Sequence, residues 1–202
     1  MAAEKGKQEN KKEEKISWDK SIVLYLHDIG YLLAVIVVVL LLVFRVVVVS
    51  GSSMYDTLLD GDMLLLLSNT FYTNPEQGDI VVLSKESFDG GAPIVKRIIA
   101  TEGQSVDIDF DEGIVYVDGI ALDEPYAQTP TNTHGGTSFP LTVEKGCVLV
   151  LGDNRNESRD SRYTEIGQID EREILGKAIF LMVPGAGEYG IEKNYSRIGA
   201  LS

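Results

Sequence analysis

Ile29-Gly30-Tyr31-Leu32-Leu33-Ala34-Val35-Ile36-Val37-Val38-Val39-Leu40-Leu41-Leu42-Val43-Phe44 contains no charged residue, and Val46–Val49 continues the apolar run after a single Arg45. Crossing a hydrocarbon layer of about 30 Å takes about 20 helical residues. The run reaches that length when it is extended backwards through His27 and Asp28, or forwards through Arg45, whose long side chain can snorkel to the headgroups. A transmembrane helix over residues 22–45 is therefore expected. A cleaved signal peptide has the same order of parts, with small residues here at Ser50 and Ser52. Its apolar core, however, is roughly 7–15 residues long, shorter than this run.

The chain differs on the two sides of this segment. Residues 1–20 hold six lysines, whereas after Arg45 no Lys or Arg appears until Lys85. Basic residues favour the cytoplasmic side, so a single-pass protein of the cell membrane is expected, with its N-terminus inside and residues 46–202 outside. Residues 1–21 read as a cytoplasmic tail. Its first fifteen residues are polar, of mixed sign and without an apolar face, which predicts disorder. Trp18 and Tyr25 are candidate interfacial anchors.

Beyond the span the pattern becomes short β-type runs separated by turn residues. Met63–Leu67 follows Asp60-Gly61-Asp62, Asp79–Leu83 follows Pro75-Glu76-Gln77-Gly78, and Pro93–Ala100 follows Asp89-Gly90-Gly91. Val106–Phe110, Ile114–Val117 and Ile120–Leu122 form a meander around two Gly turns. Residues 127–140 are a polar loop, and Cys147–Leu151 and Ile174–Met182 are later strands. Val46–Val49 is either the first strand or the end of the helix. The expected fold is mostly β: one N-terminal transmembrane helix followed by an all-β domain of about eight to ten short strands.

Net charge is −13, and residues 46–202 carry 11 Lys and Arg against 25 Asp and Glu. That excludes a nucleic-acid binder, which needs a basic face. A single Cys147 leaves no intrachain disulfide, and there is no Cys/His cluster to hold zinc. No metal and no cofactor is expected.

Chemistry is concentrated in three stretches. The first is Ser50-Gly51-Ser52-Ser53-Met54-Tyr55-Asp56-Thr57-Leu58, a few residues past the span. A serine is a poor nucleophile until a base takes its proton. Histidines offer little, because His27 lies at the inner edge of the span and His134 in a Thr/Gly/Pro loop. Among the outer lysines, Lys96 stands apart. It is flanked by Ile94, Val95, Ile98 and Ile99, and on a strand it shares a face with Ile94 and Ile98. Apolar surroundings disfavour the ammonium and lower its pKa. An unperturbed lysine near 10.4 is only about 0.1% neutral at pH 7.5, so a general base needs such a shift. The same local sequence fits a lysine snorkelling from an edge strand equally well. The third stretch is Gly152-Asp153-Asn154-Arg155-Asn156-Glu157-Ser158-Arg159-Asp160-Ser161-Arg162, which by composition is a polar turn and by spacing is not an EF-hand.

In this order and spacing, the three stretches resemble the type I signal peptidase family in its Gram-positive, single-span form. GSSMYDTL is similar to the family's nucleophile motif, IVKRIIATEG to its general-base motif and GDNRNESRDSR to its last motif. Weaker matches are GDMLLL, the turn before DIVVL, and VYVDGIALDEPY. The resemblance implies a serine endopeptidase with a Ser/Lys dyad, Ser53 as nucleophile and Lys96 as base. It implies that Ser158 hydrogen-bonds and orients the lysine amine, that Asp160 and Arg162 form an ion pair bracing the loop, and that Asp153 and Arg155 are structural. The Ser53 N–H would serve the oxyanion. The expected partners are signal peptides of secreted preproteins and membrane lipid. Peptide-lining residues would be Val49, Gly51, Met54, Leu58, Ile94 and Val95. Two departures from the family pattern stand out: Gly51 where some members carry a serine, and Asp56 where proline is usual. A Ser/Lys self-cleaving repressor lacks the span. A non-catalytic scaffold would be expected to lack the serine or the lysine.

Overall fold

The computed structural model describes residues 2–186 and 193–201, with side chains from Lys20 onward. Met1, residues 187–192 and Ser202, which belong to the expected tail and outer domain, lie outside the described residues. The chain forms two compact units, Met1–Leu42 and Val43–Ser202.

The first unit is one helix, α1 (Ala2–Val43). Within it Lys20–Val43 has a mean hydropathy of 2.6, long and apolar enough to cross a membrane. Every large apolar side chain from Ile22 to Leu42 is exposed. A core helix of a soluble protein would bury one face; this one buries none, which is compatible with membrane anchoring. The polar tail is not the disordered segment expected, since the helix runs back to Ala2. Ala, Glu, Lys and Gln dominate that tail, and these are strong helix formers. At its other end the helix stops at Val43, so Phe44 and Arg45 belong to the first strand.

The second unit is β. Strands β1 (Phe44–Val48), β2 (Met63–Ser68), β3 (Ile80–Leu83), β4 (Ile94–Thr101), β5 (Ser105–Asp109), β6 (Ile114–Val117), β7 (Ile120–Ala121), β8 (Leu141–Thr142), β9 (Cys147–Leu151), β10 (Ile169–Asp170), β11 (Ile174–Val183) and β12 (Gly199–Ala200) make two sheets. The larger has the order β1-β2-β11-β3-β4-β9-β10, with β12 added to β11; the smaller has the order β7-β6-β5-β8. Every pairing is antiparallel.

Alternation explains the layering. On β3, Ile80 and Val82 enter one apolar cluster with Val49, Met54, Leu58, Leu64, Leu66, Val95, Ala178 and Leu181. Val81 and Leu83 enter another with Ile98, Val148, Val150, Ile166, Ile169 and Ile174. All four β3 residues are buried, as a central strand covered on both faces requires. A third cluster, containing Ile99, Val106, Val115, Leu149 and Leu151, joins the two sheets. The site is built on the central strands of the large sheet.

Candidate active site

Ser53 lies in the connection from β1 to β2. That connection is closed by Val49 N–H donating to the Asp62 carbonyl at 2.8 Å and Gly61 N–H donating to the Val49 carbonyl at 2.9 Å. At Gly51 the backbone turns through φ +88°, a value that favours glycine, and its N–H donates to Asp60 Oδ1 at 2.8 Å. Next, Met54 and Leu58 point inward and are 1% and 0% exposed. Leu58 N–H donates to the Met54 carbonyl at 2.8 Å. The inward pair pins the turn to the sheet and leaves Ser53 half-buried at its tip.

Lys96 comes from β4, where it pairs with Val81 of β3. Its Nζ lies 2.6 Å from Ser53 Oγ and donates to the Val95 carbonyl at 2.9 Å. Among the described residues no carboxylate lies within ion-pair distance of this amine. The lysine is 3% exposed. Burial is the main cause that pulls its pKa down to about 8; the charges of Asp160 and Asp153 work the other way, and Arg162 adds to the lowering. A hydroxyl in hydrogen-bond contact with an amine that is partly neutral near pH 8 has a base within reach of its proton, the arrangement that a serine nucleophile needs.

The loop after β9 wraps this pair. Asn154 N–H donates to the Ser53 carbonyl and Asn154 Nδ2 to the Ser52 carbonyl, both at 3.1 Å. Arg97, next to Lys96, makes a two-pronged pair with Asp153 at 2.9 Å on each arm and stacks over Tyr126 at 4.0 Å. Thr57 Oγ1 donates to the same Asp153 at 2.6 Å. Arg162 grips Asp160 at 2.8 and 2.9 Å and also donates to the Arg155 carbonyl. Arg155 reaches across the domain to Glu124 and to Thr131 Oγ1. Three arginine–carboxylate pairs therefore fix the loop. Arg97–Asp153 and Arg162–Asp160 are buried with their hydrogen bonds satisfied, the condition under which such pairs persist in low dielectric, while the Glu124 partner of Arg155 stays partly exposed.

Ser158 differs from the expectation. Its Oγ is buried and makes no hydrogen bond, so the expected bond to the lysine amine is not formed. The amine is already engaged by Ser53 Oγ and the Val95 carbonyl. Ser158 Oγ instead packs against Gly152, where an added Cβ would meet it at 2.2 Å and the Ser53 carbonyl at 2.4 Å. Only glycine fits there.

The expected peptide-lining residues divide. Val49, Met54, Leu58 and Val95 belong to one buried cluster. Met54 and Leu58 offer a peptide no surface, so they are the floor beneath the turn rather than its lining. Their aliphatic bulk is drawn into the core by the same apolarity that suggested a pocket. Gly51 and Ile94 remain half-exposed. The Asp56 side chain is exposed. His134 is exposed as well and stacks on Phe110 at 3.7 Å. Glu124, Asn154, Thr57 and Asp60 were not singled out from the sequence. Their partners lie 9 to 102 residues away, beyond any local pattern. Arg97 alone carried a signal, its place beside Lys96.

A family model described as "Signal peptidase, peptidase S26" matches residues 22–183. The chain belongs to the peptidase S26 signal peptidase family. As a member it is a serine endopeptidase, and its one apolar N-terminal helix is compatible with membrane anchoring. "Signal peptidase I T" of Bacillus subtilis is 34% identical over 177 residues, which cover 84% of this chain and 86% of that one. "Probable signal peptidase I-1" of Synechocystis sp. is 36% identical over 146 residues, 68% of this chain and 70% of the other. A crystal structure of a signal peptidase I from Enterococcus faecalis is 28% identical, with a TM-score of 0.42, and the match covers 52% of this chain and 97% of that one.

Proposed function

We propose that this peptidase removes N-terminal signal peptides from secreted preproteins by way of a Ser53/Lys96 dyad and an acyl-enzyme. The observation that carries the reading is the 2.6 Å contact between Lys96 Nζ and Ser53 Oγ, made by a lysine with a lowered pKa and no carboxylate partner among the described residues. In the neutral amine, Nζ accepts the Ser53 hydroxyl proton as Oγ attacks the scissile carbonyl carbon. The resulting ammonium then gives its proton to the departing amine, and the carbon–nitrogen bond breaks to leave a Ser53 ester. Water, deprotonated by the same amine, attacks the ester carbon; the carbon–Oγ bond breaks, the ammonium returns the proton to Ser53 Oγ, and the carboxyl end of the signal peptide is freed.

No acceptor among the described residues takes the Ser53 N–H, which leaves it available to the oxyanion of each tetrahedral intermediate. The substrate would lie extended, as an added strand, with small side chains beside the cut in the A-x-A manner. Gly51 and Ile94 are the expected lining residues that keep most accessible surface. The N-terminus would be cytoplasmic, as the six lysines before the span favour. The catalytic domain would work outside, and lipid would be the partner of the helix. Ser53 follows the last helical residue, Val43, by ten positions, in keeping with a scissile bond just past a substrate's own apolar segment.

The test is cleavage of a preprotein by the full-length protein in detergent. Ser53→Ala and Lys96→Ala are each expected to lower the rate by about 10⁴-fold or more. Cleavage at the wild-type rate by either variant defeats the dyad.

A further inference from the structure

Asp62 is fully buried, yet its carboxylate receives four donors. Leu59 N–H donates to Oδ2 at 2.8 Å, and Gly185 N–H donates to Oδ1 at 2.7 Å. Arg197 supplies the other two, Nη1 to Oδ1 at 2.9 Å and Nη2 to Oδ2 at 2.7 Å. The same Nη2 donates to the Thr57 carbonyl at 3.1 Å. Arg197 lies beyond residue 183, where the family match ends.

The segment carrying Arg197 is itself tied down. It forms a short 3₁₀ turn, Tyr195–Arg197, in which the Asn194 side chain accepts from the Ser196 N–H and hydroxyl. After it β12 pairs with β11, and Leu201 packs against the cluster that holds Met54 and Leu58. Gly185 can approach only because it lacks a side chain, since a Cβ there would stand 2.1 Å from the Asp60 carbonyl oxygen.

Thr57 is thus held at two points. Its hydroxyl is bonded to Asp153, the partner of Arg97, and its carbonyl to Arg197. The next residue, Leu58, bonds back to the Met54 carbonyl, adjacent to Ser53. Lys96 is held by its own strand, which pairs with β3 on one side and β9 on the other. Slack at Thr57 would therefore move the serine against a lysine that stays in place.

We propose that Arg197 is a positioning residue for Ser53, setting the turn that carries it through Asp62 and the Thr57 carbonyl. The proposal rests on Ser53 as nucleophile. Its effect is on rate rather than on peptide affinity, because a misplacement of about 1 Å can cost about 100-fold. A turn that loosens also lets water reach the Lys96 amine, which moves the pH at which activity rises upward from its wild-type value.

The experiment measures kcat, KM and the pH profile of full-length Arg197→Gln, Arg197→Lys and Ser53→Ala in detergent, with the folded fraction of each followed by circular dichroism. Arg197→Gln is expected to lose about 10- to 100-fold in kcat with KM within about 3-fold of wild type, and to show the shifted profile. Arg197→Lys keeps the charge on Asp62 without the fork that also spans Thr57, and is expected to recover part of kcat. An Arg197→Gln protein with wild-type kcat and profile overturns the proposal. So does a loss matched by its unfolded fraction with an unmoved profile. Should Arg197→Gln not fold, Arg197→Lys decides: unchanged kcat and profile overturn the proposal, and a reduced kcat with a shifted profile supports it. Inactive Ser53→Ala beside wild-type Arg197→Gln defeats this inference alone, whereas active Ser53→Ala defeats the dyad reading and this inference with it.

Discussion

Lys96 and Lys177 stand on either side of the same residue. Both are register partners of Val81, one on β4 and the other on β11, and directly paired residues share a face of a sheet. Their surroundings differ. Lys177 keeps 30% of its side chain exposed and forms an ion pair at 2.5 Å with Asp79, which also accepts from the Tyr72 hydroxyl at 2.6 Å. Burial and that carboxylate together push the Tyr72 phenol well above the usual tyrosine range. Lys96 is 3% exposed and is met by a hydroxyl and a backbone carbonyl in place of a carboxylate. The lesson is that a sheet lysine is made fit to act as a base, the role proposed for Lys96, by what it is denied. An adjacent carboxylate stabilises the ammonium, while burial beside neutral oxygens destabilises it.

The comparison can be broken hardest at Lys96 itself. Lys96→Met keeps the apolar stem and removes the amine. It is expected to abolish cleavage, by about 10⁴-fold or more, in the same preprotein assay. Next in size is Asp160→Asn, which breaks a buried pair and leaves Arg162 unmatched, at a cost of about 3–5 kcal/mol in denaturant unfolding. Asp160 is the largest influence holding the Lys96 pKa up and Arg162 pulls it down. The folded variant is therefore expected to begin cleaving at lower pH than wild type.

The third test concerns stability. The Lys96 pKa is about 8 in the folded protein against 10.5 for an ordinary lysine, so the unfolded chain binds more protons between these values. The cost of burying the ammonium is then complete below about pH 8 and fades as pH rises to 10.5. At 1.36 kcal/mol per pKa unit, Lys96→Met is expected to gain up to about 3 kcal/mol near pH 7. The gain shrinks towards pH 10, as paired urea melts would record. The smallest effect belongs to the other lysine. Lys177→Met is expected to leave kcat/KM within about 3-fold of wild type, since it neither touches the dyad nor lies near Ser53 in the hydrogen-bond network.

Much of this contrast was legible in the sequence, and the gaps have physical causes. Short apolar runs between turn residues marked β2, β4, β5 and β6, and the apolar flanks of Lys96 marked a lysine worth attention. Lys177 carried no comparable signal, because its ion pair joins two strands that meet only in the folded sheet. The same holds for Arg155 and Glu124, which are 31 residues apart, and for Asn154 and Ser52, which are 102 apart. Strands β8, β10 and β12 are two residues long, too short for a period to register. In the N-terminal tail, polarity argued for disorder while helix propensity argued for helix, and propensity won in a segment that continues an existing helix. Met54 and Leu58 share the turn of Ser53 but are buried under it, and a sequence does not distinguish the floor of a site from its wall.

The central claim is that Lys96 is a buried, unpaired amine with its proton held loosely enough to exchange with Ser53. Heteronuclear NMR of lysine side chains labelled with ¹³C and ¹⁵N, in the full-length protein in detergent, reads this directly. The signal that disappears in Lys96→Met is the Lys96 signal. It is expected to titrate at about pH 8. Titration near the ordinary 10.4 would mean that Lys96 remains an ammonium at working pH, and Ser53 would then have no base.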